Sequence, residues 1–263
     1  MTGVVDGVPA KFYKYRSMTG DAVKWVERTI LFNEIYFAPA STFNDPFDLR
    51  PVFSLQATPD RQREDFLRLS RKFVPDITEE QRAIEADRVM ATSMSKGDVG
   101  STTAIIQLVH SHIITTTVGV YCVSTKRDDI LMWSHYADSH RGICLEFDGT
   151  LPLMAHAQKV RYKPEREPIN PYIDGNEAAM DKALLTKAEQ WSYEAEWRLC
   201  RYKDGPGIVQ FRPQNLTGVI IGALASVPTV DTVVAWVRQR SAPINVYRAA
   251  VSVKRFELDI ASM

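Results

Sequence analysis

Short runs rich in β-branched and aromatic residues recur along the chain at irregular intervals, and this pattern constrains the fold most. Such runs predict β-strands, for example at 12–16, 35–38 and 119–124. Segments with helical periodicity separate them, and Val23, Val26 and Ile30 share one face of the first. Because the strands are short and unevenly spaced, the sequence predicts an α+β fold with a mixed, mostly antiparallel sheet and flanking helices.

A polar, helix-favouring stretch at about 59–112 interrupts this pattern. It predicts helices at 61–73 and 78–94 and permits a third at 104–112. A chain of 263 residues fits one elaborated domain. We therefore expect a single α+β domain over residues 1–263, with a helical insertion at about 59–112.

Charge and cysteine content indicate which classes of protein are expected. The 32 Lys and Arg residues equal the 32 Asp and Glu residues in number, whereas nonspecific nucleic-acid binders usually carry a basic excess. No apolar run reaches the roughly 18 residues that span a bilayer, and the first residues lack the pattern of a secretion signal. Three scattered cysteines suit reduced core thiols. We expect a cytoplasmic globular protein that does not bind membranes; its oligomeric state stays open.

The first group of chemically interesting residues is Lys14, Tyr15 and Arg16. On a strand, side chains alternate between faces, so Lys14 and Arg16 lie on the same one. The pair is either a solvated strand edge or an anion clamp, since arginine offers a bidentate fork to phosphate and carboxylate groups.

The second group is the turn-forming run from Asn44 to Asp48. Asx side chains bond nearby backbone amides and proline presets φ, so one interpretation is a rigid turn anchored in the core by Phe43 and Phe47. The other is that Asn44 or Asp45 contacts a ligand.

The third group is the helix-like run from Met132 to Tyr136, which continues to His140. On a helix Met132, Tyr136 and His140 lie on one face, because they are spaced four residues apart, and Trp133 lies beside Tyr136. A buried apolar stripe is one interpretation, but polar tips such as that of His135 favour an aromatic-walled pocket suited to a nucleotide. His135 and His140 have no credible third and fourth zinc ligands near them in the sequence, so no metal site is predicted here.

The fourth group is the run from Trp191 to Leu199. If this run is extended, Glu194, Glu196 and Arg198 share one face. Two neighbouring carboxylates repel, so the pKa of one is expected to rise, as is typical of functional sites. A salt bridge to Arg198 or to lysines is the structural alternative.

Taken together, these groups resemble the bacterial domain of unknown function 2971 family over nearly the whole chain. The motifs that carry the resemblance are Tyr13–Arg16, Phe43–Asp48, Met132–Asp138 continuing to Gly142, Glu146 and Phe147, and the run Tyr193-Glu194-x-Glu196-x-Arg198. This family name implies no chemistry.

A second resemblance does imply chemistry. The order of strand, helix, strand and loop, aromatic helix, and Glu-bearing strand is similar to the ADP-ribosyltransferase fold. The run from Ile130 to Tyr136 resembles the helix of its DNA-modifying branch, and Ala195-Glu196 resembles its catalytic strand. The chain departs from the fold's pattern in offering Lys14 and Arg16 near the start of strand one, where a His or Arg is usual, and in lacking a Ser-Thr-Ser motif.

This resemblance implies that NAD⁺ is the substrate of an ADP-ribosyltransferase or NAD glycohydrolase, enzymes that are often toxins or phage-defence effectors. Glu196 would hold the ribose hydroxyl and stabilise an oxocarbenium-like transition state, and Glu194 would orient or deprotonate the acceptor, which is protein, nucleic acid or water. Tyr136 or Trp133 would stack on the nicotinamide, and Arg16 would take the pyrophosphate. The residues expected to bind NAD⁺ are Lys14, Tyr15, Arg16, Asn44, Trp133, His135 and Tyr136.

Two alternatives belong to other functional classes. One is a non-enzymatic module that senses a nucleotide or a partner protein, which predicts saturable binding without turnover. The other is a metal-dependent phosphodiesterase, which a chelator would inactivate whereas NAD⁺ chemistry would survive. Its expected Mg²⁺ ligands are Asp45, Asp48, Glu146, Glu194 and Glu196.

Overall fold

The fold combines one large sheet with flanking helices in a computed structural model that describes residues 7–54, 58–95, 112, 116–170, 174 and 176–263. The helices are α1 (Ala22–Phe32), α2 (Pro59–Phe73), α3 (Glu79–Ser95), α4 (Ile130–Tyr136), α5 (Asn176–Leu185) and α6 (Val227–Gln239). The strands are β1 (Lys11–Arg16), β2 (Glu34–Pro39), β3 (Gly119–Ser124), β4 (Ile143–Asp148), β5 (Gln158–Lys159), β6 (Arg161–Lys163), β7 (Thr186–Ala188), β8 (Glu196–Arg201), β9 (Gly207–Gln210), β10 (Leu216–Ile221), β11 (Asn245–Val251) and β12 (Leu258–Ser262).

Strand pairing confirms the predicted α+β class and the mostly antiparallel sheet. The strand order is β12-β11-β10-β4-β1-β3-β2-β9, with β8 paired to β3 and β5 paired to β8. Among the described strands of this sheet, β10 and β11 are the parallel pair. Strands β6 and β7 form a separate parallel pair.

Strand β1 separates from β3 soon after the two meet, and this split positions the candidate site. Along its other edge β1 pairs with β4 over its full length, from Lys11 opposite Asp148 to Arg16 opposite Ile143. With β3 it pairs only at Tyr13, opposite Ser124. The beginning of β3 pairs instead with β2. A space therefore opens between the second half of β1 and the middle of β3.

The two faces of β1 pack into different parts of the core, as strand alternation requires. Phe12 is buried with side chains of α1 and α6, such as Ile30 and Val233. Tyr13 and Tyr15 point to the other face and pack against α4. This packing holds α4 beside the split between β1 and β3.

Helix α4 is shorter than the predicted run to His140. The Asp129 side chain caps its start by accepting hydrogen bonds from the backbone amides of Leu131 and Met132. Beyond its end, Asp138, Ser139 and His140 all have positive φ, a backbone conformation that cannot continue a right-handed helix.

Two further expectations about local structure were wrong. The sequence of residues 181–190 favours a helix, but the helix ends at Leu185, because the next three residues pair with β6 as β7. The run from Trp191 onward is not fully extended: Glu189–Glu194 form a 3₁₀ helix, Ala195 is left-handed at φ 44°, and β8 begins at the next residue. Strand β9 was not predicted.

The predicted helical insertion corresponds in part to α2 and α3, which lie between β2 and β3 in the chain. Ion pairs join the two helices, with Arg63 Nε 2.5 Å from Asp87 Oδ1 and Arg71 Nη2 2.8 Å from Glu79 Oε2. The third predicted helix, at 104–112, falls outside the described residues except for its last position. No helix in the described part of the chain is long and apolar enough to cross a membrane.

Candidate functional site

A cavity of about 380 Å³ fills the split between β1 and β3. This volume is in the range of small-molecule sites, and the walls combine aromatic rings with a few charged groups, as such sites usually do. The lining residues come from β1, α1, β2, the loop after β2, β3, α4 and the segment around β7 and β8: Tyr13, Lys14, Tyr15, Arg16, Trp25, Tyr36, Ala38, Thr42, Phe43, Asn44, Val120, Tyr121, Cys122, Val123, Ser124, Met132, Tyr136, Lys187, Glu194 and Glu196.

The cavity brings together most of the site residues predicted from the sequence. Seven of them share its wall: Lys14, Tyr15, Arg16, Asn44, Tyr136, Glu194 and Glu196. Four groups that lie far apart in the chain thus meet at one place. The described wall does not include Trp133 or His135.

Two cations on β1 form one wall. Lys14 Nζ donates a 2.7 Å hydrogen bond to the Cys122 carbonyl on β3 and lies 4.9 Å from the centre of the Tyr121 ring. The Arg16 guanidinium donates to the Tyr121 hydroxyl. Within the described ranges, neither Lys14 nor Arg16 forms an ion pair with a carboxylate, and both are half-buried rather than solvated. Their charges are therefore available to an anionic ligand.

The environment of Lys14 also changes its protonation. Burial lowers the pKa of Lys14 to about 8, and the neighbouring positive charge of Arg16 contributes to the shift. An ammonium group with this pKa changes its charge close to neutral pH, so the positive charge on this wall depends on pH.

A buried cluster of charges forms the opposing part of the site. Lys187 Nζ lies 2.5 Å from Glu194 Oε2, 3.1 Å from Glu196 Oε2 and 3.6 Å from Asp48 Oδ2. Arg198 Nη2 lies 2.9 and 2.8 Å from the two Asp48 oxygens, and its Nε lies 2.8 Å from Glu196 Oε1. Three carboxylates thus share two cations. The salt bridge to Arg198 or to lysines, which was the structural alternative for this run, is present, and the lysine is Lys187.

The two glutamates differ in protonation because they differ in partners. Burial raises the pKa of Glu194; the Lys187 charge offsets part of this rise, and the Glu196 carboxylate adds to it. Burial would also raise the pKa of Glu196, but the charges of Arg198 and Lys187 outweigh it and hold that pKa far below its ordinary value. One carboxyl is therefore suited to exchange protons, while the other stays ionised.

Local structure explains how both glutamates reach Lys187. Left-handed Ala195 separates the end of the 3₁₀ helix from the start of β8, so the residues on its two sides do not alternate as they would on a strand. Tyr136 Oη donates a 2.6 Å hydrogen bond to Glu194 Oε1. Ser124 Oγ donates to the Glu194 carbonyl at 2.6 Å, which ties this turn to the end of β3.

Sequence reasoning missed several wall residues. Trp25 of α1 and Tyr36 of β2 stack with ring centroids 4.8 Å apart and an interplanar angle of 29°. Tyr36 alternates with the buried residues Ile35 and Phe37, and that alternation was a usable signal. Lys187 gave no signal, because it stands alone in a run that was predicted to be helical.

Trp133 was expected to stack on a ligand ring, and its position shows that this expectation was wrong. Its side chain is 0% exposed, its indole Nε1 donates to the Arg127 carbonyl at 2.9 Å, and its ring packs edge-on against Tyr15 at 5.2 Å. It is a core residue. His135 lies outside the cavity, where its Nδ1 is 3.3 Å from the Tyr193 hydroxyl and its ring meets Trp191 edge-on.

The Asn44–Asp48 turn has the predicted turn chemistry, and one of its residues lies at the cavity wall. Asp45 Oδ1 accepts from the Phe47 amide at 2.8 Å, which is the expected Asx turn, and Asn44 lines the cavity. The expectation that Phe47 anchors the core was wrong, because the residue is 60% exposed.

The acidic residues considered as Mg²⁺ ligands do not all lie together. Glu146 Oε1 pairs with Lys11 at 3.2 Å and accepts from Thr217 Oγ1 at 2.7 Å, while Glu194 and Glu196 belong to the buried cluster. In the part of the chain that the structure describes, no three His, Cys, Asp or Glu side chains form a group that could hold a metal ion.

The cysteines are free thiols in buried surroundings. Cys122 lines the cavity and donates a hydrogen bond to Glu196. Burial, together with the Glu196 charge, raises the pKa of the Cys122 thiol well above its ordinary value, and burial likewise raises those of Cys144 and Cys200. These thiols stay protonated at neutral pH, which argues against a nucleophilic cysteine.

Comparisons with known proteins give one family match, over part of the chain, and no activity. No curated protein and no solved structure matches the chain. The family match spans α4, β4 and the glutamate-bearing segment, and is narrower than the nearly whole-length resemblance expected from the sequence. Residues 132–199 match the family described as protein of unknown function (DUF2971), which supports the resemblance predicted from the sequence.

Proposed function

We propose that the cavity binds NAD⁺ and that the protein cleaves its N-glycosidic bond, as an ADP-ribosyltransferase or NAD glycohydrolase. The observation that carries this proposal is the pairing, in one aromatic-walled cavity, of a glutamate of raised pKa with two cations that have no carboxylate partner among the described residues. The ADP-ribosyltransferase-like fold that the sequence resemblance implies is part of the same proposal.

Each part of the ligand has a matching part of the wall. The Arg16 guanidinium and the Lys14 ammonium bind the pyrophosphate oxygens through charge-assisted hydrogen bonds. The stacked pair of Trp25 and Tyr36 offers a planar surface to a ring of the ligand. Asn44, on the loop after β2, supplies an amide to a ligand hydroxyl or carbonyl group.

The two glutamates take different roles at the reacting bond. Cleavage develops positive charge on the ribose, and the ionised Glu196 provides negative charge in a buried setting where it is most effective. Glu194, whose pKa is raised, accepts the proton of the attacking hydroxyl or water. Tyr136 orients Glu194 through its 2.6 Å hydrogen bond.

The test is release of nicotinamide from NAD⁺ by the purified protein, with labelled ADP-ribose followed in cell lysate. Wild-type protein and Glu189→Gln should release nicotinamide, because Glu189 is an exposed residue of the same 3₁₀ helix. Glu194→Gln should retain NAD⁺ binding and lose release. Release should survive a chelator, which separates this chemistry from a metal-dependent phosphodiesterase. Absence of both release and calorimetric binding would contradict the proposal.

A non-enzymatic nucleotide sensor is the second candidate, and one observation favours it. Both carboxylate oxygens of Glu196 already accept hydrogen bonds from Arg198, and one also accepts from Lys187. A carboxylate held in this way can serve to stabilise the fold and need not take part in a reaction. Saturable NAD⁺ binding with no release, unchanged in Glu194→Gln, would identify the sensor.

A further inference from the structure

A second cavity of about 370 Å³ adjoins the same charged cluster. Lys187 lines both cavities. The turn after β2 is likewise shared, since it contributes Asn44 to the first cavity and Phe47 to the second, and the buried Asp48 follows Phe47 in the chain. The second cavity is thus built on the same elements as the first.

Its floor is apolar and buried. Leu49, Ile169 and Ala183 line it and are almost fully excluded from solvent. Phe47, which is 60% exposed, adds an aromatic ring to the wall. The exposed Phe47 ring suits a ligand with an apolar portion, because covering that ring removes apolar area from water.

Its charged lining is mainly basic. The basic residues are Arg50, Lys163, Arg166, Lys182 and Lys187, and the acidic ones are Glu165 and Glu167. Lys163 pairs with Glu167 at 3.0 Å and Lys182 pairs with Asp174 at 2.6 Å. Over the residues described, Arg50 and Arg166 form no ion pair with a carboxylate.

Of these two arginines, Arg166 lies beside the exposed ring and contacts the backbone of Arg50. The Arg166 guanidinium donates to the Arg50 carbonyl and lies 5.6 Å from the centre of the Phe47 ring. A guanidinium in this position presents donors to a planar oxyanion, while its face and the ring accommodate a flat apolar group.

From this arrangement we propose that the second cavity binds a small organic oxyanion, a phosphate or carboxylate attached to a flat apolar group. Arg50 and Arg166 bind the oxyanion, and the apolar group packs against the exposed Phe47 ring. This site does not depend on the NAD⁺ chemistry of the first cavity.

Calorimetric titration of the full chain with phenyl phosphate, and separately with benzoate, tests the proposal. The double variant Arg50→Gln/Arg166→Gln should weaken binding at one site by about tenfold or more, the effect of losing a charge-assisted hydrogen bond. Arg161→Gln is the matched control, because Arg161 is exposed on β6 and is not part of the described lining of either cavity. Unfolding temperatures verify that each variant is folded.

The outcomes separate the two cavities. Arg16→Gln should leave the second cavity intact. If both cavities bind the compound, the wild type has a stoichiometry of two, which falls to one in the Arg16 variant and in the double variant. A stoichiometry of one that only the double variant removes supports the second site and counts against anion binding in the first. If only phenyl phosphate or only benzoate binds, and the double variant weakens that binding, the result supports the site and identifies its oxyanion. Binding of neither compound, or binding unchanged in the double variant, overturns the proposal.

Discussion

The Lys187 ammonium lies 2.5 Å from the Glu194 carboxylate, and both side chains are almost fully buried. Two more carboxylates, those of Glu196 and Asp48, lie within 3.6 Å of the same nitrogen, and Arg198 is the other cation among them. Buried charges are tolerated only when each has partners, so these five residues depend on one another.

Replacement of Lys187 by methionine should therefore destabilise the fold strongly. The substitution leaves three buried carboxylates with Arg198 as their main counter-charge, and breaking such a buried pair costs about 3–5 kcal/mol. Urea unfolding measures the loss. Lys24→Met is the control, because the Lys24–Asp21 pair is exposed and its loss should change the free energy of unfolding little. Equal effects of the two substitutions would show that the cluster is not a structural unit.

Removal of the Tyr136 hydroxyl should move the pH dependence of turnover. That hydroxyl donates to Glu194 and stabilises the ionised carboxylate, so it lowers a pKa that burial has raised. In Tyr136→Phe the pKa of Glu194 should rise further, and the acidic limb of the nicotinamide-release profile should shift to higher pH. Tyr162→Phe is the comparison variant, because the Tyr162 hydroxyl accepts a hydrogen bond from the backbone amide of Glu196 and makes no hydrogen bond to the Glu194 carboxylate. If the acidic limb of the profile were the same in Tyr136→Phe as in the wild type, Glu194 would not be the proton acceptor.

Binding of an anionic ligand in the first cavity should weaken as pH rises through about 8. Burial lowers the pKa of Lys14 to that value, so the group is charged below it and neutral above it. Titrations with NAD⁺ on either side of pH 8 measure the change. Lys14→Met should bind more weakly at low pH and lose most of the dependence. A wild-type affinity that is constant across this range would show that Lys14 does not contact the anion.

Much of the framework of the site was predictable because it is local. Strand β3 has the bounds that its run of β-branched and aromatic residues predicted, and the alternation of β1 placed Lys14 and Arg16 on one face. Four motifs separated along the chain do meet at one cavity. The bounds of β3 and the faces of β1 follow from side-chain periodicity, which acts over a few residues, whereas the meeting of the motifs depends on the tertiary fold.

The parts that were not predicted depend on long-range contacts. Lys187 reaches the cluster because β7 pairs with β6, and a run that locally favours a helix becomes a strand through that pairing. Ala195 adopts a positive φ, which nothing in an alanine side chain favours. The periodicity of α4 identified a stripe of large side chains but could not determine which of them faces the core.

The two tryptophans Trp133 and Trp25 distinguish core from ligand-binding aromatics. Trp133→Ala should cost about 3–5 kcal/mol of stability, because the ring is fully buried and its removal leaves a cavity. Trp25→Ala should be milder for stability, since Trp25 is half-buried at the wall, and should weaken NAD⁺ binding about tenfold through loss of a stacking surface. Thermal unfolding and calorimetry on the same preparations separate the two effects. If Trp25→Ala bound NAD⁺ as the wild type does, the ligand ring would have to rest on another part of the wall, and Phe43 and Tyr121 would be the next residues to replace.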